Sequence, residues 1–276
     1  KKIESTSDEL LMDCNLLADH YDYFDFGDYD ISKNNKLMAY SMDTLSRRIY
    51  QIKIKNLETG KHFEEVLENT TGSVTWADDE TIFYAVQDKE TLRSYQIYAH
   101  RLGTEQHEDV LIYEEKDETF SCYVYKSKSE KYVIINSSST LSDEYRLIDA
   151  EKPFSNPVLF QKRERGLEYS LYHHPKGFYI LTNEDHKNFS IKFCNSNNTK
   201  KSNWETVIKG SNDTLIEGID IFNSYMVVSE RFNGLVNLNV VDLDSLKTHL
   251  IPFNEPTYVV QTTTNINLES KKLRFF

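Results

Sequence analysis

The sequence is poor in cysteine, and it contains no long apolar run. Three cysteines occur in 276 residues, at Cys14, Cys122 and Cys194, with no C-x-x-C pair among them. An odd number at such wide spacing argues against a disulfide framework or a zinc site and favours a reducing compartment. No apolar run approaches the roughly 20 residues that span a bilayer, and the first residues have no signal-peptide core. We therefore predict a cytoplasmic location without membrane contact.

Positive charge is scarce relative to negative charge. Lysine and arginine together number 32 against 44 aspartates and glutamates, which gives a formal net charge of −12. A surface with this excess of carboxylates repels phosphate backbones, so nucleic acid is not expected as a partner.

The common catalytic motifs are missing as well. The patterns G-x-S-x-G, G-x-x-x-x-G-K-[ST], H-E-x-x-H and G-x-G-x-x-G do not occur. A serine nucleophile on a strained strand-to-helix turn needs small residues on both sides, and no serine here has them. We therefore assign no catalytic residue and no cofactor to the chain.

A short apolar and aromatic run recurs along the sequence. Its copies are marked by Met38, Phe83, Tyr132, Phe178, Tyr225 and Leu273. Successive markers are 45, 49, 46, 47 and 48 residues apart, a spread too narrow for random placement. Each run is rich in β-branched and aromatic residues and too short for a typical helix, which predicts a strand buried on both faces.

Weaker strand signals and turn signals surround each run. In the second copy, residues 73–76 precede the run, and residues 95–98 and 109–113 follow it. Four strands in every ~40–50 residues are typical of the blades of a β-propeller, which is an all-β fold. The second strand of a blade packs on neighbouring blades through both faces, whereas the outermost strand has a solvated edge and carries charge.

The repeat predicts a single, incomplete propeller domain over residues 1–276. Five complete four-stranded blades are expected within residues 23–254, at 23–70, 72–118, 119–166, 167–212 and 214–254. Residues 1–15, with a strand at 8–12, are expected to supply the outer strand of a first blade. Residues 257–276, with strands at 258–261 and 273–276, are expected to begin a last blade. Because the chain stops within an apolar strand, we expect a fragment that either stays an open ring or pairs residues 8–12 with the terminal strands, within one molecule or between two.

Two groups contain residue types that bind metals, and neither predicts a metal site. His173 and His174 are neighbours, and neighbours in a strand point to opposite faces, so the pair is interpreted as a strand end. An acidic stretch lacks the residue order and closing glutamate of a calcium loop. It is interpreted as solvated carboxylates, at Asp22, Asp25, Asp28 and Asp30.

The adjacent Arg47 and Arg48 are the candidate binding residues. Guanidinium groups bind carboxylates through two parallel hydrogen bonds, so the pair is suited to contact a substrate or a neighbouring domain. The alternative is a salt bridge that flanks a strand. Trp76 and Trp204 are interpreted as packing residues between blades rather than as platforms for a ligand.

Short stretches of the chain match a known family in order and at compatible spacings. They are residues 45–50, 55–60, 100–104, 109–117, 146–150, 168–171, 178–183, 188–189, 217–218, 229–231 and 234–235. The series resembles the propeller domain of oligopeptidase B, also called protease II, a group within the prolyl oligopeptidase family of serine peptidases. No single match is specific, but the ordered series covers nearly the whole chain.

The resemblance implies a seven-bladed propeller that caps an α/β-hydrolase domain carrying a Ser-Asp-His triad. On this mapping the five complete repeats are blades two to six, and the hydrolase domain lies C-terminal to this chain. The implied function is non-catalytic: the propeller controls the access of short peptides containing Lys or Arg to the hydrolase domain, its partner.

Two other functions remain open at this stage. The first is a free-standing propeller scaffold that binds proteins, although the WD dipeptides of the common scaffold type are absent. The second is an enzyme with its own site in the central channel, which requires carboxylates that converge from several blades.

Overall fold

The structure, a computed structural model, describes residues 10–276, and most of them lie in antiparallel strands. Among these residues, α-helix occurs at α1 (Cys14–Ala18), and 3-10 turns occur at Gln106–Glu108 and Lys201–Asn203. No helix in this part of the chain has the length and apolar character to cross a membrane. The chain divides into two compact units, residues 1–125 and 126–276.

The first unit contains one seven-stranded antiparallel sheet in sequence order. Its strands are β1 (Asp25–Ile31), β2 (Leu37–Asp43), β3 (Tyr50–Asn56), β4 (His62–Trp76), β5 (Thr81–Gln87), β6 (Ser94–Arg101) and β7 (Val110–Glu114). The sheet contains both of the first two predicted repeats, because β4 belongs to each of them.

The 15-residue strand β4 differs from the prediction, which separated two repeats near residue 71. Thr70 pairs with Tyr50 on β3 and with Val86 on β5, so hydrogen bonding continues through the boundary. Asn69 and Gly72 have positive φ values of 57° and 94°, which bend the strand without ending it. The bend lets one strand serve as the outer strand of one repeat and the inner strand of the next.

The division between the units falls within β8 (Ser121–Lys126), the first strand of the third repeat. The remaining strands of that repeat are β9 (Tyr132–Ser139), β10 (Ser142–Asp149) and β11 (Val158–Gln161). The fourth repeat is a four-stranded sheet of β12 (Tyr169–His174), β13 (Gly177–Thr182), β14 (Ser190–Cys194) and β15 (Glu205–Ile208). The fifth is a four-stranded sheet of β16 (Thr214–Ile221), β17 (Tyr225–Phe232), β18 (Leu235–Asp242) and β19 (Thr248–Leu250).

The first five recurring apolar runs are the second strands of the repeats, and they are buried on both faces as predicted. The sixth run, residues 273–276, forms no such strand, and its Phe276 is 68% exposed. Along β13, Phe178 and Ile180 pack into a cluster with the third repeat, whereas Tyr179 and Leu181 pack into a cluster with the fifth. Alternating side chains of a strand point to opposite faces, so the sheet of the fourth repeat is covered on one side by the third repeat and on the other by the fifth.

The two ends of the described chain differ from the strand prediction. The predicted strand at residues 8–12 begins outside the described residues, and its described part, residues 10–12, is irregular. The Asp13 carboxylate accepts hydrogen bonds from the backbone N–H groups of Asn15 and Leu16, so this segment begins helix α1 instead.

The C-terminal segment forms a short antiparallel pairing in place of the two full strands predicted at residues 258–261 and 273–276. Gln261 and Phe276 exchange two backbone hydrogen bonds of 3.0 and 3.1 Å, and Thr262 forms an isolated bridge with Phe275. Tyr258, which was predicted to lie within the strand, instead donates a hydrogen bond of 2.7 Å to Asn237 on β18. The paired residues 261–263 and 274–276 therefore overlap the predicted strands only in part.

Candidate functional site

The loop that carries the two candidate arginines is held by one buried carboxylate. Asp43 ends β2 and is 1% exposed. Its Oδ1 accepts from the N–H of Leu45, and its Oδ2 accepts from the N–H groups of Arg47 and Arg48, each at 2.8 Å. Ser46 and Arg48 adopt positive φ values of 57° and 55°, a conformation that the carboxylate contacts stabilise.

The side chains of Arg47 and Arg48 are exposed to solvent. Within residues 10–276 neither guanidinium group has an ion-pair partner, so the alternative of a strand-flanking salt bridge finds no support there. The Nε2 atom of Gln87 donates a hydrogen bond to the Arg48 carbonyl, which fixes the backbone of the loop to β5. The role of the arginines in contacting a substrate or another domain stays a prediction.

Asp25 and Asp30 of the acidic stretch are half-buried on β1 and have separate structural partners, so the interpretation as solvated carboxylates is wrong for these two. Asp25 accepts a hydrogen bond of 2.5 Å from the Tyr50 hydroxyl. Asp30 accepts from the Thr75 hydroxyl and from the Trp76 N–H, at 3.1 and 2.8 Å. No cluster of three or more metal-ligating side chains occurs in the part of the chain that the structure describes.

The histidine pair ends strand β12, as predicted, and each ring has its own environment. The Nδ1 atom of His173 lies 2.6 Å from the Ser129 hydroxyl, and the ring contacts the rings of Tyr132 and Phe178 at centroid distances of 4.8 Å. Burial lowers the pKa of His173 to about 4, and the neighbouring His174 and Lys131 charges add to the effect. His174 instead lies 3.1 Å from the Asn223 carbonyl.

Both tryptophans are buried packing residues, in agreement with their interpretation. Trp76 is 1% exposed, and its indole N–H donates to the Asp30 carbonyl at 3.1 Å. Trp204 packs on Phe160 and Tyr169 in the cluster between the third and fourth repeats. Neither indole is placed to stack on a ligand.

The cysteines are free thiols. Cys122 and Cys194 are buried, and burial raises the pKa of each thiol to about 12. A thiol of this kind is protonated at neutral pH and is therefore a poor nucleophile.

An acidic groove in the first unit was not predicted from the sequence. It has a volume of about 800 Å³ and lies between the first half of β4 and the loop that connects β6 to β7. Four glutamates line it, together with the buried His100: they are Glu64, Glu65, Glu68 and Glu105.

His100 is a fully buried polar residue of the acidic groove. Its Nδ1 atom lies 2.7 Å from Asp109 Oδ1, and the Tyr84 hydroxyl donates to Asp109 Oδ2 at 2.7 Å. The Nε2 atom of His100 is buried, has no hydrogen-bond partner in the described chain, and lies 3.9 Å from Glu65 Oε2. Burial and the Asp109 hydrogen bond raise the pKa of Tyr84 far above its usual range, so the hydroxyl stays a donor.

Within the described residues, His100 and His173 each contact one of the two partners that a catalytic-triad histidine needs. Neither contacts both an orienting carboxylate and a serine. His100 is oriented by Asp109, but its Nε2 atom faces Glu65 rather than a serine. His173 contacts Ser129, but its surroundings are the rings of Tyr132 and Phe178. A serine nucleophile requires a histidine base that is itself oriented by a third group. These two pairs therefore offer no hydrolytic chemistry.

Comparisons with known proteins agree with the fold. A family model described as the prolyl oligopeptidase N-terminal β-propeller domain matches residues 1–276. Among solved structures, the chain is similar to oligopeptidase B from Leishmania major, with a TM-score of 0.91 and 25% identity over 100% of this chain and 40% of that one. The all-β propeller predicted from the repeat is thereby confirmed.

Two curated relatives align over nearly the whole chain. Dipeptidyl aminopeptidase BI from Pseudoxanthomonas mexicana is 35% identical over 270 residues, which are 97% of this chain and 37% of the relative. Protease 2 from Moraxella lacunata is 30% identical over 274 residues, which are 98% of this chain and 39% of the relative. The chain therefore spans less than half the length of these relatives.

Proposed function

Because the chain belongs to the prolyl oligopeptidase family, through its N-terminal β-propeller domain, we propose that it is the non-catalytic propeller domain of a serine oligopeptidase. In this role it admits short peptides containing Lys or Arg to an α/β-hydrolase domain and keeps folded proteins out. The family match over residues 1–276 carries the proposal, and the relative named Protease 2 supports it.

Two features of the chain support a gating role without catalysis. Neither His100 nor His173 belongs to a complete set of nucleophile, base and orienting carboxylate. The net charge of −12 produces a field that attracts cationic peptides and raises their local concentration near the domain.

A second mode of cleavage is favoured by the other relative. Its name, dipeptidyl aminopeptidase BI, describes release of dipeptides from a free amino end, and it is 35% identical to this chain. The two modes differ in the substrate end that they require, since an N-terminally blocked peptide is cleaved only by internal cleavage.

The experiment measures hydrolysis by the full gene product and by the 276-residue chain. Substrates are a blocked arginyl amide, the same amide with a free N-terminal dipeptide, and a folded protein that displays the same sequence in a loop. We expect the full product to cleave at least one peptide and spare the folded protein, and the chain alone to cleave nothing. Hydrolysis by the pure chain that a serine-directed reagent blocks would refute the non-catalytic role.

The scaffold function makes the opposite prediction for binding. If the propeller is a free-standing scaffold, the full gene product has no peptidase activity and the chain recovers folded partner proteins in a pull-down.

The gating role has its own test. If the full gene product cleaves the folded protein as readily as the peptides, the gating role is refuted and the family assignment stays intact.

A further inference from the structure

We propose that Asn233, in the turn between β17 and β18, is a site of spontaneous modification that converts the residue to isoaspartate and aspartate through a cyclic succinimide. Water is the only co-reactant. Asn233 is followed by Gly234, and the sequence contains no other Asn-Gly pair. The inference goes beyond the proposed function, because the reaction requires neither peptidase activity nor a substrate.

The reaction joins two neighbouring groups of the chain. The backbone nitrogen of Gly234 attacks Cγ of the Asn233 side chain, and the bond from Cγ to the amide nitrogen breaks. The proton of the Gly234 N–H leaves with that nitrogen as ammonia. Water then opens the five-membered ring at one of its two carbonyl groups. One opening gives aspartate, and the other gives isoaspartate, which places an additional methylene in the backbone.

The attacking nitrogen and its target are both accessible. Glycine has no Cβ, so the backbone beside it is the least hindered that a chain offers. Within the described residues, neither the Gly234 N–H nor the Asn233 side chain has a hydrogen-bond partner. Both residues are exposed to solvent. The nucleophile, the amide carbon that it attacks and water are therefore present together at the surface.

The closed turn keeps the reacting atoms apart, so the turn has to open first. Asn233 and Gly234 have φ values of 49° and 84°. Positive φ at both positions of a two-residue hairpin loop is typical of a type I′ turn, in which ψ of the first residue is about +30°. At that angle the Gly234 nitrogen points away from the Asn233 side chain, and the backbone must rotate before the ring can close.

The turn is placed to open while the sheet stays folded. All four residues at this end of the hairpin are exposed, and Phe232, the last residue of β17, is 42% exposed. The buried part of β17 lies at residues 226–228, several positions away. Exposed ends of a hairpin open locally at a much lower free energy than the whole domain unfolds.

The two products differ in their effect on the hairpin. Aspartate tolerates a positive φ as asparagine does, so an Asp-Gly pair keeps the type I′ turn. Isoaspartate lengthens the backbone of a two-residue loop and displaces the Gly234 carbonyl, which accepts a hydrogen bond of 3.1 Å from Nη1 of Arg231. We therefore expect isoaspartate to separate the ends of β17 and β18, and aspartate to leave them paired.

The test is peptide mapping by mass spectrometry of the purified protein after incubation at pH 9 and 37 °C. Deamidation raises the mass of the peptide that contains Asn233 by about 1 Da, and an isoaspartyl methyltransferase labels the isoaspartate. Asn254 is the internal control, because it is also exposed but is followed by Glu255 instead of glycine. We expect Asn233 to react at least tenfold faster than Asn254. Asn233→Gln would require a six-membered ring and should remove the signal.

The same incubation in guanidinium chloride separates opening of the turn from unfolding of the protein. We expect the reaction at Asn233 to be slower in the folded protein by less than about a thousandfold. A larger slowing overturns the proposal, because it is what results when only global unfolding exposes the site. A rate no higher than that of Asn254 also overturns it, and so does a mass gain without isoaspartate, since direct hydrolysis of the amide gives aspartate alone.

Thermal unfolding tests the effect on the hairpin. Asn233→Asp has the same charge as both products and should melt at the temperature of the parent. Protein that has been converted during the incubation contains isoaspartate and should melt at a lower temperature. Equal melting of the converted protein and Asn233→Asp would overturn the expected separation of β17 from β18.

Discussion

The Nζ atom of Lys128 lies 2.6 Å from Oδ1 of Asp220, and the contact joins residues 92 positions apart in the chain. Lys128 lies between β8 and β9 in the third repeat, and Asp220 belongs to β16 in the fifth. The ammonium also lies 3.5 Å from the centroid of the Phe222 ring, and Asp220 Oδ2 accepts from Asn265 at 2.9 Å. The aspartate therefore connects the third repeat, the fifth repeat and the C-terminal segment.

The first prediction is that the two members of this pair contribute unequally to stability. Burial lowers the pKa of Lys128 even though Asp220 opposes the effect, so the charged lysine is less favourable in the folded state than in water. Asp220→Ala leaves that charge unpaired and should lower the free energy of unfolding by about 3 kcal/mol. Lys128→Met should cost less, about 1 kcal/mol, because the Asp220 carboxylate that it leaves without the ammonium keeps its hydrogen bond from Asn265.

Urea unfolding of the two single variants and of the double variant measures this asymmetry. The double variant should recover most of the stability that Asp220→Ala loses, because the unpaired ammonium is gone. Additive losses in the double variant would contradict the explanation.

The second prediction concerns stability at acidic pH. His173 has a folded-state pKa of about 4, below its ordinary value near 6.5, so the unfolded chain takes up a proton at a higher pH than the folded chain does. The stabilising contribution is complete above pH 6.5 and is lost as the pH falls toward 4. Over this range it amounts to about 3 kcal/mol.

The measurement is the free energy of unfolding at several pH values for the parent and for His173→Gln, which keeps a hydrogen-bonding group but does not titrate. The parent should lose about 3 kcal/mol more than the variant between pH 7 and pH 4. Identical pH dependence in the two proteins would show that His173 titrates normally.

The third prediction compares two glycines with similar backbone angles. Gly72 has a φ of +94°, and a Cβ there would lie 2.8 Å from Cγ of the Tyr50 ring. Gly60 has a φ of +72°, and a Cβ there would meet nothing within 4 Å. Alanine at either position is strained by about 1–2 kcal/mol, but only at Gly72 must an aromatic ring move as well.

Gly60→Ala therefore serves as the matched control for Gly72→Ala. Gly72→Ala should be less stable than the control by about 2 kcal/mol, since overpacking costs add to the backbone strain. It should also weaken the hydrogen bond from the Tyr50 hydroxyl to Asp25. Equal thermal stabilities of the two variants would mean that the ring shifts without cost.

The second strands of the repeats could be predicted from the sequence because each is a run of consecutive apolar residues, and such a run indicates burial by itself. Residues 37–40, 82–86 and 178–181 are apolar at every position, and a strand of that kind must be covered on both faces. The turn before such a run can also be recognised. Ser32 and Ser127 each accept, through the hydroxyl, the N–H of the residue five positions later, at 3.0 Å in both cases.

The features that escaped prediction depend on contacts between separate strands. The groove requires Glu65 on β4 and His100 on β6 to lie side by side, and only the register of β3 to β6 brings them together. The continuity of β4 depends on the conformations of Asn69 and Gly72, residues that by themselves indicate a turn. The candidate arginines were chosen by residue type alone, and the buried Asp43 that holds their loop was missed.

The last prediction separates the structural role of the Asp43 loop from the role of its arginines. Asp43→Ala removes the acceptor for three backbone N–H groups at a site that is 1% exposed, and it should lower the free energy of unfolding by about 2 kcal/mol. Arg47→Ala and Arg48→Ala remove exposed side chains and should each change stability by less than about 0.5 kcal/mol. If the arginines contact a substrate or a second domain, the arginine variants should alter KM or kcat of the full gene product without altering its thermal stability. Unchanged kinetics in the Arg47→Ala/Arg48→Ala variant would leave Asp43 as a purely structural anchor and end the case for a binding role at this loop.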